Sequence, residues 1–131
     1  MKTILALAMI AMPVAFTSNS HAADGDVHEK VIGVSDAYVP SGFDSGSEAF
    51  VVENGWFPNS CYKLKSVEVN HVGAALHEVT TKASVTEGLC LAVIIPFHKE
   101  VQLGKLALGT HKVHFLNGDG TYFEKQIVIE Q

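Results

Sequence analysis

Leu76-His77-Glu78-Val79-Thr80-Thr81-Lys82-Ala83-Ser84-Val85 decides the fold class, because Val79, Thr81, Ala83 and Val85 share one parity while Glu78, Thr80, Lys82 and Ser84 share the other. Successive side chains of an extended chain face opposite ways, so this is a strand with one face in a core and one in water, as in an antiparallel sheet. Just upstream, Cys61 to Gly73 carries two alternations out of phase, Tyr62 and Leu64 on one parity and Val67 and Val69 on the other. A β-bulge near Lys65-Ser66 reconciles them, since one extra residue resets which side faces inward. Gly73-Ala74 is the expected turn between the two strands.

Downstream, Glu87-Gly88 leads into Leu89-Cys90-Leu91-Ala92-Val93-Ile94-Ile95, the most continuously apolar stretch after the first thirty residues. It is too short to cross a membrane and rich in β-branched residues, which predicts a central strand covered on both faces or bent at Pro96. Phe97 to Leu106 continues with Val101 and Leu103. Thr110 to Leu116 sets His111, Val113 and Phe115 against Lys112 and His114, so His111 and His114 face opposite sides. Asn117-Gly118-Asp119-Gly120 is a hairpin turn, and Thr121 to Glu130 returns with Phe123, Ile127, Val128 and Ile129. An oxygen-rich calcium loop is the weaker reading of that turn, because it lacks the acidic spacing of an EF-hand.

On the other side, Lys30 to Val39 reads as a strand ended by Pro40-Ser41-Gly42, and Phe43 to Ser47 as a loop. Glu48 to Glu53 holds the strand-like Ala49-Phe50-Val51-Val52, followed by Asn54-Gly55 as a turn. In Trp56-Phe57-Pro58-Asn59-Ser60 two large aromatics either cap one end of the core or form an exposed contact patch. About seven strands at short intervals, with no amphipathic helix, predict an all-β protein, two antiparallel sheets packed as a β-sandwich.

The chain opens on Lys2, an apolar run from Ile4 to Phe16 interrupted by Pro13, and Ser20-His21-Ala22 before Ala23. This reads as a secretory signal peptide over residues 1–22, leaving a single β-sandwich domain at 23–131 that is periplasmic or secreted and has no transmembrane segment. Of 9 basic and 14 acidic residues only Lys2 leaves with the leader, so 8 against 14 gives a formal charge of −6. The basic residues are all lysines and form no run, which argues against nucleic acid and against adsorption to an anionic membrane. Cys61 and Cys90 are the only cysteines. In an oxidising compartment they pair with each other, and closing that loop contributes about 3 to 4 kcal/mol.

Asn59-Ser60-Cys61-Tyr62, Leu89-Cys90, Pro96-Phe97, Leu103-Gly104 and Gly109-Thr110-His111-Lys112-Val113 together resemble a small family of immunoglobulin-like β-sandwich domains of bacterial secreted and periplasmic proteins. The resemblance runs over most of residues 30 to 130 and implies the immunoglobulin-like form of the sandwich. Such domains serve adhesion, carrier and structural roles alike, so it implies no single function. In similar domains the place of His111 is often a tyrosine after Gly-Thr, whose ring tip bonds to backbone near a sheet corner.

Histidines 28, 71, 77, 98, 111 and 114 are numerous for such a short chain, and neutral imidazole is a good ligand for copper or zinc. His71 and His77 flank the expected turn, so a hairpin places them opposite each other, with Glu68 or Glu78 as a candidate oxygen ligand. The plainer reading of the pair is polar residues on the wet face of a hairpin. No Gly-x-Ser-x-Gly elbow is present, and pairing Cys61 to Cys90 removes the one thiol nucleophile. The leading expectation is therefore a non-enzymatic secreted or envelope-associated domain without cofactor, recognising a protein or glycan through Tyr38, Trp56 and Phe57. Transition-metal capture by His71 and His77 is the alternative and a small secreted hydrolase the third; oligomeric state is left open.

Overall fold

The computed structural model describes residues 25–131; the expected leader and its boundary at Ala23 lie outside them. Nine strands follow in order: β1 Val27–Ile32, β2 Asp36–Tyr38, β3 Phe43–Asp44, β4 Glu48–Phe57, β5 Tyr62–His71, β6 Leu76–Thr86, β7 Ile95–Lys105, β8 Gly109–Leu116 and β9 Tyr122–Glu130. They form an all-β sandwich of one six-stranded and one three-stranded sheet. The small sheet is β2-β4-β7. In the large one, β6 pairs with β5 along one edge, while its other edge is shared by β1 and β8; β9 and then β3 follow β8.

The expectation of purely antiparallel sheets needs correction, because β6 pairs with β8 in parallel and β3 with β9 in parallel. The expected strand over Lys30–Val39 is two strands in different sheets, β1 in the large and β2 in the small. The predicted alternation of β6 holds along its length, with His77, Val79, Thr81, Ala83 and Val85 all buried. The β5 register slips between Leu64 and Ser66, where the two alternations meet.

Asn54-Gly55 is no turn; both residues lie inside β4. Gly55 is opposite Phe97, and a Cβ on Gly55 would stand 2.5 Å from that ring. The ring fills the space a side chain would take, which is why glycine is tolerated in mid-strand. Phe97 stacks on Phe57, and these two with Ala83 form a small core cluster at this end of the sandwich. The main core lies between the sheets and includes Val51, Val79, Leu103, Val113, Phe115 and Ile127.

The segment 87–94 departs most from expectation. It contains no strand, and Leu89, Leu91, Val93 and Ile94 are exposed. Since β6 belongs to one sheet and β7 to the other, the chain must cross between sheets here, and a crossing segment has no ladder to join. It is held as a loop by the Cys61–Cys90 disulfide, with Cα atoms 5.4 Å apart, and by Ser60, whose N–H donates to the Leu91 carbonyl and whose Oγ accepts from the Leu91 N–H. The disulfide thus braces loops at one end of the sandwich and does not join two strand interiors.

One carboxyl is fully buried between the sheets: Glu53 of β4, hydrogen-bonded by Thr81 Oγ1 of β6 at 2.7 and 2.9 Å to its two oxygens. Burial pushes this carboxyl up, opposed by the Thr81 bond and by the charge of Lys99. A raised folded value means the unfolded chain releases its proton first. The stability this group contributes is therefore complete below its ordinary value of 4.5 and is lost as pH rises through the folded value.

Two outcomes follow from this packing. Glu53→Gln should gain stability relative to the natural protein as pH rises from 4.5 to 8, read by urea unfolding; a difference that does not change with pH would show that burial does not raise this carboxyl. Gly55→Ala should cost about 1–3 kcal/mol by forcing the Phe97 ring aside, and an unchanged unfolding midpoint would contradict the close approach.

Candidate functional site

The sandwich presents different chemistry at its two ends. At the end where β5 finishes and β6 and β8 begin, three imidazoles from three strands form a hydrogen-bonded row. His71 and His77 are directly opposite in the β5–β6 hairpin, as their spacing predicts, with Nδ1 atoms 2.6 Å apart. His77 Nε2 then stands 2.9 Å from His111 Nδ1, and His111 Nε2 stands 2.6 Å from the Ala107 carbonyl oxygen. His77 and His111 are buried, each only 2% exposed, whereas His71 is at the surface.

With neutral rings, the carbonyl at the Ala107 end sets the order of protons along the row. It only accepts, so His111 carries its proton on Nε2 and its Nδ1 is an acceptor. His77 must then donate from Nε2, which leaves its Nδ1 bare. His71 donates to that atom from its own Nδ1, and its Nε2 lone pair is left for the solvent side. No proton is unmatched in this arrangement.

His77 faces the core and is not one of the wet-face residues of the plainer reading. Glu78 has the opposite parity on β6, and Glu68 is paired to Lys82 at 3.1 Å, so neither stands with the imidazoles. Among the described residues no group of three or more His, Cys, Asp or Glu is gathered around one point. His114 faces outward as expected, stacked on Tyr122 and bonded to Glu124. Sequence reasoning missed His111 as the third member; its shared parity with Val113 and Phe115 was the available signal. Its ring tip reaches backbone at a chain corner, the role implied for a tyrosine at this place.

Burial first, and then the neighbouring His71 and His111, push His77 down to about 4. The unfolded chain binds this proton near 6.5 and the folded protein only near 4. The stability contributed by neutral His77 is complete above 6.5 and is lost as pH falls toward 4.

At the opposite end lie the start of β1, the end of β4 and the loop 87–94. Trp56 is 65% exposed there, opposite Pro96, while its neighbour Phe57 is 4% exposed and stacked on Phe97. The two aromatics are split by strand parity: Phe57 belongs to the core and is withdrawn as a contact residue, and Trp56 remains available. Tyr38 is exposed too, but in register with Val52, four residues along β4 from Trp56, so the structure does not gather Tyr38 into the same end. At this end the exposed apolar side chains are instead those of the loop, Leu89, Leu91, Val93 and Ile94. No enclosed pocket is present among the described residues, and no helix there is long and apolar enough to cross a membrane.

A family model described as the ORF11 beta-sandwich domain matches residues 51–129, more than half of the chain. The match spans most of β4 through β9 and takes in both cysteines and His71, His77 and His111. No curated protein and no solved structure matches.

The histidine row yields a pH prediction. In the presence of a chelator, the natural protein should lose unfolding free energy between pH 7.5 and 4.5, and His77→Gln should be less stable at pH 7.5 but show a flatter acid slope. Equal slopes in the two proteins would mean that His77 binds its proton as readily folded as unfolded.

Proposed function

We propose, for a chain that belongs to the ORF11 beta-sandwich domain family, that it is an extracytoplasmic, non-enzymatic binding domain that docks a protein partner on the apolar end of its sandwich. The observation that carries this reading is the placement of loop 87–94. The most apolar stretch of the domain is held out of the core by a disulfide and by Ser60, beside an exposed tryptophan. Apolar surface gathered in one place on a folded protein marks an interaction site, and a tryptophan within it is a characteristic anchor.

The chemistry of the patch favours protein over glycan. Leu89, Leu91, Val93 and Ile94 offer no side-chain donor or acceptor, which is what a sugar hydroxyl needs beside an aromatic platform. The formal charge of −6 disfavours an anionic bilayer as the occupant. The leader-like residues 1–22 and the paired cysteines support a location beyond the cytoplasm. We also read the sandwich as immunoglobulin-like, with loops at one end making contact. The His111 bond to Ala107 at a corner supports that finer assignment.

Photo-crosslinking in cells tests the docking surface. A benzophenone amino acid at Trp56 or Leu91 should give one discrete adduct with a second protein, whereas the same group at Tyr122 should give none. Leu89→Asp with Ile94→Asp should abolish the adducts while leaving the far-UV spectrum intact. Absence of an adduct, adducts from all three positions, or an adduct of twice the chain mass would overturn the proposal, the last by making a second copy the occupant.

A further inference from the structure

We infer that His71 and His77 form a copper(II) site at the end of the sandwich opposite the apolar loop, with both Nδ1 atoms as ligands and His111 holding His77 in the ligating tautomer. Because the Ala107 carbonyl takes the His111 proton and His111 Nδ1 takes the His77 proton, the Nδ1 lone pair of His77 is bare and directed at His71. A ligating histidine characteristically donates its other ring N–H to an oriented acceptor, which fixes its tautomer and raises its basicity. His77 has that arrangement before any cation arrives.

His71 supplies the second nitrogen. Its Nδ1 faces His77 Nδ1 at 2.6 Å, with the rings nearly perpendicular at 83°. Two metal–nitrogen bonds of about 2.0 Å meeting at a right angle need nitrogens about 2.8 Å apart, and a tetrahedral angle needs about 3.3 Å. The observed 2.6 Å is that of a hydrogen bond, so the His71 ring must swing aside for a cation to take the bonding direction of His77 Nδ1; imidazole nitrogen binds copper(II) more tightly than zinc, which makes copper the cation of choice. His71 is at the surface, at the end of a hairpin, and is the ring that shifts.

The proton balance closes without an added reactant. The cation displaces the proton on His71 Nδ1, and His71 takes a proton at its solvent-facing Nε2 in exchange, so one tautomer replaces another and no net proton is released. Water supplies the remaining coordination positions. His111 is not a ligand, because its Nδ1 is turned to His77 Nε2, on the far side of that ring.

Copper(II) added to the untagged protein, previously stripped with a chelator and dialysed, tests the assignment. One equivalent should bind with a paramagnetic resonance spectrum split by two nitrogens. His71→Ala, at an exposed position, should keep the fold and lose at least tenfold in affinity and one nitrogen from the splitting. His111→Tyr keeps a ring hydroxyl for Ala107 but offers His77 no acceptor, and should weaken binding about 10- to 100-fold. Joint His28→Ala and His98→Ala replacement should change neither stoichiometry nor spectrum. Undiminished binding by His71→Ala, loss on replacing His28 and His98, or no one-to-one complex in the natural protein would overturn the site.

Discussion

Strand β6 is hydrogen-bonded on both edges, and the rest of the sandwich is arranged around that constraint. Its first edge is taken by β5 from Val85 back to His77. The second is divided: β8 runs beside Leu76 to Thr80, and β1 beside Thr81 to Thr86. The division point fixes where β8 must stop and turn into β9. Asn117 therefore lies against Gly33 at the end of β1, and Gly118 against Val31. The inward parity of β6 then sets the order of the interior from end to end: His77, Val79, Thr81, Ala83, Val85. The buried Glu53 is where it is because Thr81 is the one hydroxyl on that inner row.

Features governed by neighbours in sequence were legible there. The alternation in β6, the bulge at Lys65, the turn after His71 and the Asn117–Gly120 hairpin each depend on parity or on turn chemistry within a few residues. Two features went against local reading because a distant partner decides them. Asn54-Gly55 has the composition of a turn, yet the Phe97 ring occupies the space above Gly55 and keeps the strand running. Leu89 to Ile94 has the composition of a core strand, yet it joins strands of different sheets and is tied at Cys90 and Leu91 to the loop before β5.

The histidine row divides in the same way. The opposition of His71 and His77 follows from a tight turn between them and needs only their spacing. The third member arrives through the parallel pairing of β6 with β8, a contact between residues 34 apart that no hairpin rule supplies. The exposed end was legible only in part. Trp56 and Phe57 are adjacent, so a strand must send them to opposite faces; the sequence held that rule, but the residues read as a loop, where parity does not apply.

Imidazole at two buried positions is an expensive choice for a core. Valine or phenylalanine at 77 and 111 would fill the same layer with no donor or acceptor to satisfy, whereas each buried ring nitrogen left unpaired costs about 1–3 kcal/mol. Among the described residues no buried side-chain nitrogen or oxygen lacks a partner. The row achieves this by a one-way hydrogen-bond order, beginning at a carbonyl that can only accept and ending at His71, whose second nitrogen meets solvent. Remove His71 and His77 Nδ1 is left without a donor; remove the Ala107 carbonyl and no tautomer is fixed. A buried polar chain that is complete only when it runs to the surface leaves a lone pair within reach of that surface. That separates this end of the sandwich from one packed for stability alone.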